Sequence, residues 1–212
     1  MTDTPRAVLI EGLSTLRLAA TEAQLDQLMA LTELLADWNQ RVNLTAITEP
    51  FAMVRKHLLD SLTVQPWLAG PFVIDVGTGA GFPGLPLAIM NPTLRFTLLD
   101  STAKKVRFVE HAAKTLGLDE VEAVCVRAEQ WKPTQRAASV VSRALSNIPE
   151  FIRVAGHLVA KSGTLLAMKG RDPAPELTAL PREWQVAGIE RLAVPGLADE
   201  RHLVRLVRPL AP

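Results

Sequence analysis

The sequence predicts a doubly wound α/β fold with a mostly parallel sheet, and three observations carry that expectation. From residue 72 onward, short apolar β-branched runs alternate with helix-like stretches, the pattern of a parallel sheet with helices on both faces. The first run, Val73-Ile74-Asp75-Val76, passes straight into Gly77-Thr78-Gly79-Ala80-Gly81, and the helical Leu85, Leu87, Ala88 and Ile89 follow. Strand, glycine turn and helix start together bring backbone N–H groups to a nucleotide-like ligand. Near the C-terminus, apolar runs at 184–192 and 202–207 flank a short connection containing Pro195-Gly196, which predicts an antiparallel hairpin at the sheet edge.

Taken in order, the first 70 residues read as helical. Thr21-Glu22-Ala23-Gln24 has the form of a capping box, and Leu25, Leu28, Met29, Leu35 and Trp38 recur at helical spacing behind it. Residues 39–43 break the pattern, with Asn43-Leu44-Thr45 shaping a turn. Pro50 then opens a helix carrying Met53, Val54, Leu58, Leu59 and Leu62. Strands are expected at 72–76, 94–99, 121–126, 138–141 and 164–168, with helices of about 8–16 residues between them. Ser101 or Thr102 caps one of these helices and Gly117 stops it. With the hairpin the sheet has seven strands. The expected organisation is an N-terminal helical segment over 1–70 packed on a Rossmann-like unit over 71–212.

The chain has 212 residues, an apolar fraction of 48% and a charged fraction of 21%, ordinary values for a globular domain with an appendage. No apolar run reaches the ~18 residues a membrane span needs, and Met1-Thr2-Asp3 does not begin a signal peptide. The one cysteine, Cys125, excludes an internal disulfide framework and agrees with a cytoplasmic location. Lying in an apolar run, it reads as a small buried hydrophobe. Net charge is only +1, yet residues 1–70 hold five basic and eight acidic side chains while 101–171 hold twelve basic and six acidic. That asymmetry points to one basic face opposed to an anionic partner. Solvated helix faces would explain it equally well.

Gly79-x-Gly81-x-x-Gly84 satisfies the dinucleotide pattern, which alone is weak and leaves an NAD-dependent oxidoreductase open. Asp75 argues against a pyrophosphate, because a carboxylate at the mouth of the crevice would repel it. The same carboxylate suits the ammonium of S-adenosylmethionine. Asp100, at the tip of the second strand, is placed to accept from a ribose. Gly77, Thr78, Gly79, Gly81 and Ser101 complete the loops expected around the cofactor.

The loop after the fourth strand reads Val140-Val141-Ser142-Arg143-Ala144-Leu145. It lacks the Asp/Asn-Pro-Pro-aromatic turn that accepts hydrogens from exocyclic amines. Cys125 lies in the wrong place for a nucleophile toward pyrimidine C5. A target that is already nucleophilic remains, and guanine N7 is one. Arg143 would then fix the cofactor carboxylate or guanine O6, or pair with a neighbouring helix. His57 and Ser61 share one helical face between Lys56 and Asp60. No second histidine pair stands at ligand spacing, so no metal is expected. That face either lines a crevice over the cofactor, with His57 positioning substrate, or faces solvent.

The stretches WNQRVNLTAI (38–47), VRKHLLDSL (54–62), VIDVGTGAGFPGLPLAI (73–89), LLDSTAKKVRFVE (98–110), VVSRAL (140–145), MKG (168–170) and ERHLV (200–204) resemble the ribosomal RNA small-subunit methyltransferase G family, also called glucose-inhibited division protein B. The resemblance implies the S-adenosylmethionine-dependent methyltransferase variant of the fold. It also implies methyl transfer to N7 of a guanine in 16S ribosomal RNA, free or within the 30S particle. It carries cofactor contacts onto Gly77, Phe82, Ala128, Glu129 and Arg143; Phe82 stands where the family often has Leu. RNA contacts are expected at Arg41, Lys56, Lys104, Lys105, Arg107, Lys169 and Arg201, in a monomer without membrane or metal. A non-catalytic RNA-binding assembly factor with the same fold is the remaining alternative.

Overall fold

The computed structural model describes residues 4–143 and 147–209; Ala144 and Leu145 of the fourth-strand loop lie outside them. Seven strands, β1 (Phe72–Val76), β2 (Arg95–Asp100), β3 (Val121–Cys125), β4 (Ala137–Ser142), β5 (Val159–Lys169), β6 (Gln185–Arg191) and β7 (His202–Val207), form one sheet in the order β3-β2-β1-β4-β5-β7-β6. The first five are mutually parallel, and β7 runs antiparallel to both β5 and β6. The order reverses between β1 and β4, so the carboxyl ends of these strands open a crevice there.

Alternation along the strands sorts the core onto two faces. Val73, Phe96, Leu98, Val141 and Leu166 pack on one side with the N-terminal helices. Phe72, Ile74, Val76, Leu99, Val140 and Leu165 pack on the other with the helix Ile148–Ala155 and Trp184. The capping box forms as read: Thr21 Oγ1 accepts from Gln24 N–H at 3.2 Å, and Gln24 Oε1 accepts from Thr21 N–H at 2.9 Å. A further N-terminal helix, Pro5–Thr15, lays Gly12 so tightly on Leu59 that a Cβ would strike the leucine side chain.

Four expectations need correction. Between β3 and β4 there is only a single turn, Ala128–Gln130. Pro133 interrupts the helical pattern there, and the imidazole of His157 pins the chain by donating to Trp131 O at 2.9 Å. The helix after the glycine turn, Gly84–Met90, is seven residues long, shorter than expected. Cys125 is exposed, because β3 is an edge strand with neighbours on one side only. Gly117 does stop the helix Ala103–Thr115, at φ 66°. Neither Ser101 nor Thr102 caps it through its side chain; Thr102 N–H instead donates to Asp100 Oδ1 at 2.8 Å.

The helix opened by Pro50 runs as an α segment (Pro50–Met53), a π segment (Val54–Leu59) and a final α turn (Asp60–Leu62). Widened turns of this kind recur at functional sites, and this one carries Lys56 and His57 to the crevice.

Candidate functional site

The site begins with the turn after β1. Gly77, Gly79 and Gly81 take φ of 70°, 61° and 87°, which side chains with a Cβ rarely adopt. Gly77 N–H and Thr78 N–H both donate to Leu99 O, at 2.8 and 2.9 Å, hanging the loop on the end of β2. Asp75 is fully buried. Its Oδ2 accepts from Thr78 Oγ1 at 2.6 Å and from Gly84 N–H at 2.8 Å. A Cβ on Gly84 would stand 2.8 Å from that oxygen and 2.7 Å from Leu98 Cγ, so the third glycine is demanded by close packing. Burial pushes the Asp75 carboxyl up to about 6, against the lowering effect of the Thr78 and Gly84 hydrogen bonds. Its Oδ1 is buried and unbonded among the described residues.

Asp100 has a related role on the next strand. Its Oδ2 accepts from Gly79 N–H at 3.0 Å, its Oδ1 from Thr102 N–H at 2.8 Å, and Lys105 Nζ lies 3.9 Å away. It also lines a cleft of about 220 Å³ with Gly77, Leu99, Ser101, Val126, Ala128 and Glu129. Five sequence-expected cofactor residues, from the ends of three strands, thus share one wall.

Across Gly77 lies a second space of about 240 Å³, lined by Thr45, His57, Gly77, Thr78, Gly79, Phe82 and Arg143, among others. His57 stacks on Phe82 with centroids 4.6 Å apart, and its Nε2 lies 3.0 Å from Thr45 Oγ1. Only 6% exposed, His57 is held to a pKa of about 3, first by burial and then by the positive charge of Arg143. The imidazole is therefore neutral near pH 7. Ser61 is buried and donates to His57 O at 2.5 Å. His57 and Ser61 are thus turned away from solvent, with His57 bordering this space.

A third cleft, about 320 Å³, opens beyond Arg143 and His57 and includes Lys56, Asp60, Met168, Lys169, Arg201 and His202 in its wall. Arg143 Nη1 donates to Asp60 Oδ2 at 3.0 Å and to Lys56 O at 2.9 Å. The helix-pairing alternative for Arg143 is thus realised, while the residue still lines both spaces. Arg201 Nε reaches the other oxygen, Asp60 Oδ1, at 3.1 Å.

The sequence matches the rRNA small subunit methyltransferase G family over residues 24–204. This chain belongs to that family. Two methyltransferase G relatives show how far the likeness runs. The ribosomal RNA small subunit methyltransferase G of Marinobacter nauticus is 44% identical over 198 residues, covering 93% of this chain and 92% of the relative. That of Chromobacterium violaceum is 45% identical over 202 residues, covering 95% and 97%. Among solved structures, TrmN from Thermus thermophilus superposes with a TM-score of 0.58 at 18% identity over 87% of this chain and 53% of TrmN. Coclaurine N-methyltransferase bound to N-methylheliamine and SAH gives 0.57 at 14% identity over 89% and 73%. At such identities the likeness shows the fold alone, a Rossmann-like methyltransferase fold with a mixed seven-stranded sheet.

The remaining expected residues of this methyltransferase G member are dispersed. Lys104 and Arg107 are exposed on the helix Ala103–Thr115. Arg41 stands far out, its side chain 79% exposed and 3.9 Å from Asp37. Lys169 is held at 2.9 Å by Glu176 and is mostly covered. Arg201 is bonded to Asp60 and lies 3.7 Å from Asp199. Asp60 and Asn39 are what sequence reasoning undervalued. Asn39 Oδ1 accepts from Leu44 N–H and Thr45 N–H at 2.8 and 3.0 Å, fixing the loop that presents Thr45 to His57. The polar positions inside WNQRVNLT were the available signal. No helix among the described residues is long and apolar enough to cross a membrane. None of their His, Cys, Asp and Glu side chains cluster in a way that could hold a metal ion.

Proposed function

We propose that this chain transfers a methyl group from S-adenosylmethionine to N7 of a guanine in 16S ribosomal RNA, as free RNA or within the 30S particle. One observation carries the reading: the spaces on either side of Arg143 and His57 meet where no side chain is prepared to remove a proton. His57, its pKa held to about 3, is a weak proton acceptor, buried and bonded to Thr45. Asp60 is bonded by two guanidiniums, and Asp75 lies buried beneath the loop. Guanine N7 has an exposed lone pair, so alignment and polar stabilisation would supply the rate.

The donor set fits the cofactor. Asp100 would accept from the ribose hydroxyls, while Ser101, Ala128 and Glu129 would border the base. The open face of Gly79, where an added Cβ would meet nothing within 4 Å, leaves room for close approach along Gly77, Thr78 and Gly81. Phe82 would supply an apolar wall, and the unbonded Oδ1 of Asp75 would answer the ammonium, directly or through water. When bound, S-adenosylmethionine supplies an electrophilic methyl group on a sulfonium leaving group. Arg41, Lys56, Lys104, Lys105, Arg107, Lys169 and Arg201 would face RNA phosphate, with Lys169 and Arg201 first having to exchange acidic partners. The protein would act in the cytoplasm as a monomer.

The test is methyl transfer from labelled S-adenosylmethionine to small-subunit RNA or particles, with the product mapped by borohydride and aniline cleavage, which marks N7-methylguanine. Label at a single guanine N7 is expected; label elsewhere, or none, overturns the reading. With cofactor and RNA saturating, the single-turnover rate should be flat from pH 6 to 9, since a neutral His57 contributes no titration there.

A further inference from the structure

Asp60 sits 3% exposed on the wall of the 320 Å³ cleft and divides its carboxylate between two arginines from distant parts of the chain. Oδ2 takes Arg143 from the end of β4 at 3.0 Å, and Oδ1 takes Arg201 from the start of β7 at 3.1 Å. Both guanidiniums line the cleft, and Arg143 also lines the adjoining space over the glycine loop. Arg143 uses Nη1 for both of its bonds, to Asp60 and Lys56 O, so the fork is anchored at one corner. Ser142 Oγ donates to Val76 O at 2.7 Å, tying the strand end beneath Arg143 to the start of the glycine turn. Phe82, 5.7 Å from the guanidinium carbon, backs it from the other side.

We infer that Asp60 is a positioning residue: it locks Arg143 at the junction of the two spaces, where the target guanine must meet the methyl group, and uses Arg201 as the counter-anchor. The inference rests on the proposed methyl transfer and adds a residue that acts through Arg143. A rigid, charge-assisted pair orients a guanidinium without mobile side-chain entropy to lose at each turnover. Asp60 and Asp199 together face the two guanidiniums, and Lys56 in the same wall adds a positive charge suited to an electron-rich Hoogsteen edge or a nearby phosphate. An amide in place of the carboxylate would keep one acceptor and present an N–H₂ to the other guanidinium. One arginine must then swing away, and displacement of about 1 Å at a reacting centre costs up to roughly a hundredfold in rate.

The experiment compares full-length Asp60→Asn with wild type on small subunits whose target guanine is unmodified. Expected are a single-turnover rate, at saturating cofactor, lower by roughly ten- to a hundredfold and a KM for the particle changed by less than about threefold. In an Arg143→Gln background the Asp60→Asn change should cost no further rate, because its effect passes through Arg143. Nitrogen-15 spectra should show a sharp Arg143 guanidinium signal in wild type that broadens in Asp60→Asn. A wild-type rate in Asp60→Asn, or the same loss again in the Arg143→Gln background, overturns the inference. If Asp60→Asn does not fold, Asp60→Glu, which keeps the charge but moves it by one methylene, carries the same cycle. Absence of transfer by wild type would instead break the functional reading, and the spectra would still decide whether the clamp exists.

Discussion

The cleft under the ends of β2 and β3 and the cleft beside the helix opened by Pro50 differ in what holds their walls. The first is built from backbone: glycine conformations, N–H groups donating to Leu99 O, and Asp100 bonded to two amides. All of it comes from consecutive strand ends. The second is built from side chains that arrive from far apart. Asp60 meets Arg143 across 83 positions and Arg201 across 141, and its helix is locally deformed to a π segment. A ligand site made of main chain tolerates sequence drift around its glycines. One made of ion pairs depends on each partner, because removing one leaves the other charged, desolvated and unpaired.

Acid stability should expose that dependence most strongly. His57 has its pKa lowered from 6.5 to about 3, so the unfolded chain binds more protons than the native one between those values. Stability from this residue is full above pH 6.5 and is lost as pH falls toward 3, by up to roughly 5 kcal/mol. Asp75 opposes it. With its pKa raised to about 6, its contribution is full below the unfolded value of 3.8 and is lost as pH rises through 6, worth up to roughly 3 kcal/mol. Relative to wild type, His57→Gln should therefore gain stability on acidification, and Asp75→Asn should lose it. Urea unfolding at steps from pH 7.5 to 3.5 measures both differences; parallel curves would show that neither group is desolvated in solution.

Asp100→Ala tests the backbone-built side. Removing charge-assisted hydrogen bonds should weaken cofactor binding roughly tenfold to a hundredfold, about 1.5–3 kcal/mol. The variant should also lose discrimination against 2′-deoxyribose analogues, which titration calorimetry can resolve. Normal discrimination would move the ribose away from Asp100. The smallest effect belongs to the exposed helix face. Replacing Lys104, Lys105 and Arg107 by Ala should leave cofactor affinity unchanged and flatten the salt dependence of RNA binding by about one unit of slope for each phosphate no longer neutralised. An unchanged slope would make them solvated surface only.

The same contrast explains what the sequence could reveal. Strand, glycine turn and acidic strand tip are local signals, so β1, Asp75, Gly77 and Asp100 could be read directly, as could the C-terminal hairpin. The capping box at Thr21 was legible for the same reason. The missing helix between β3 and β4 was not, because sheet alternation set an expectation that Pro133 and a long-range bond from His157 override. Cys125 misled because an apolar run looks alike on an edge strand and a central one. Asp60 could be placed on the right helix, but nothing local says which cations a buried carboxylate will meet.

The buried carboxylate of Asp75 makes the glycine loop a proton balance as well as a cradle. At pH 6 about half of the unliganded molecules should carry a proton there, given a pKa of about 6. In the proposed cofactor complex, an ammonium beside its unbonded Oδ1 would favour the ionised form and expel that proton. Cofactor binding measured in buffers of different ionisation enthalpy should then show release of about half a proton near pH 6, more just below it, and none by pH 8. Affinity should fall correspondingly as the solution turns acidic, and Asp75→Asn should abolish the release.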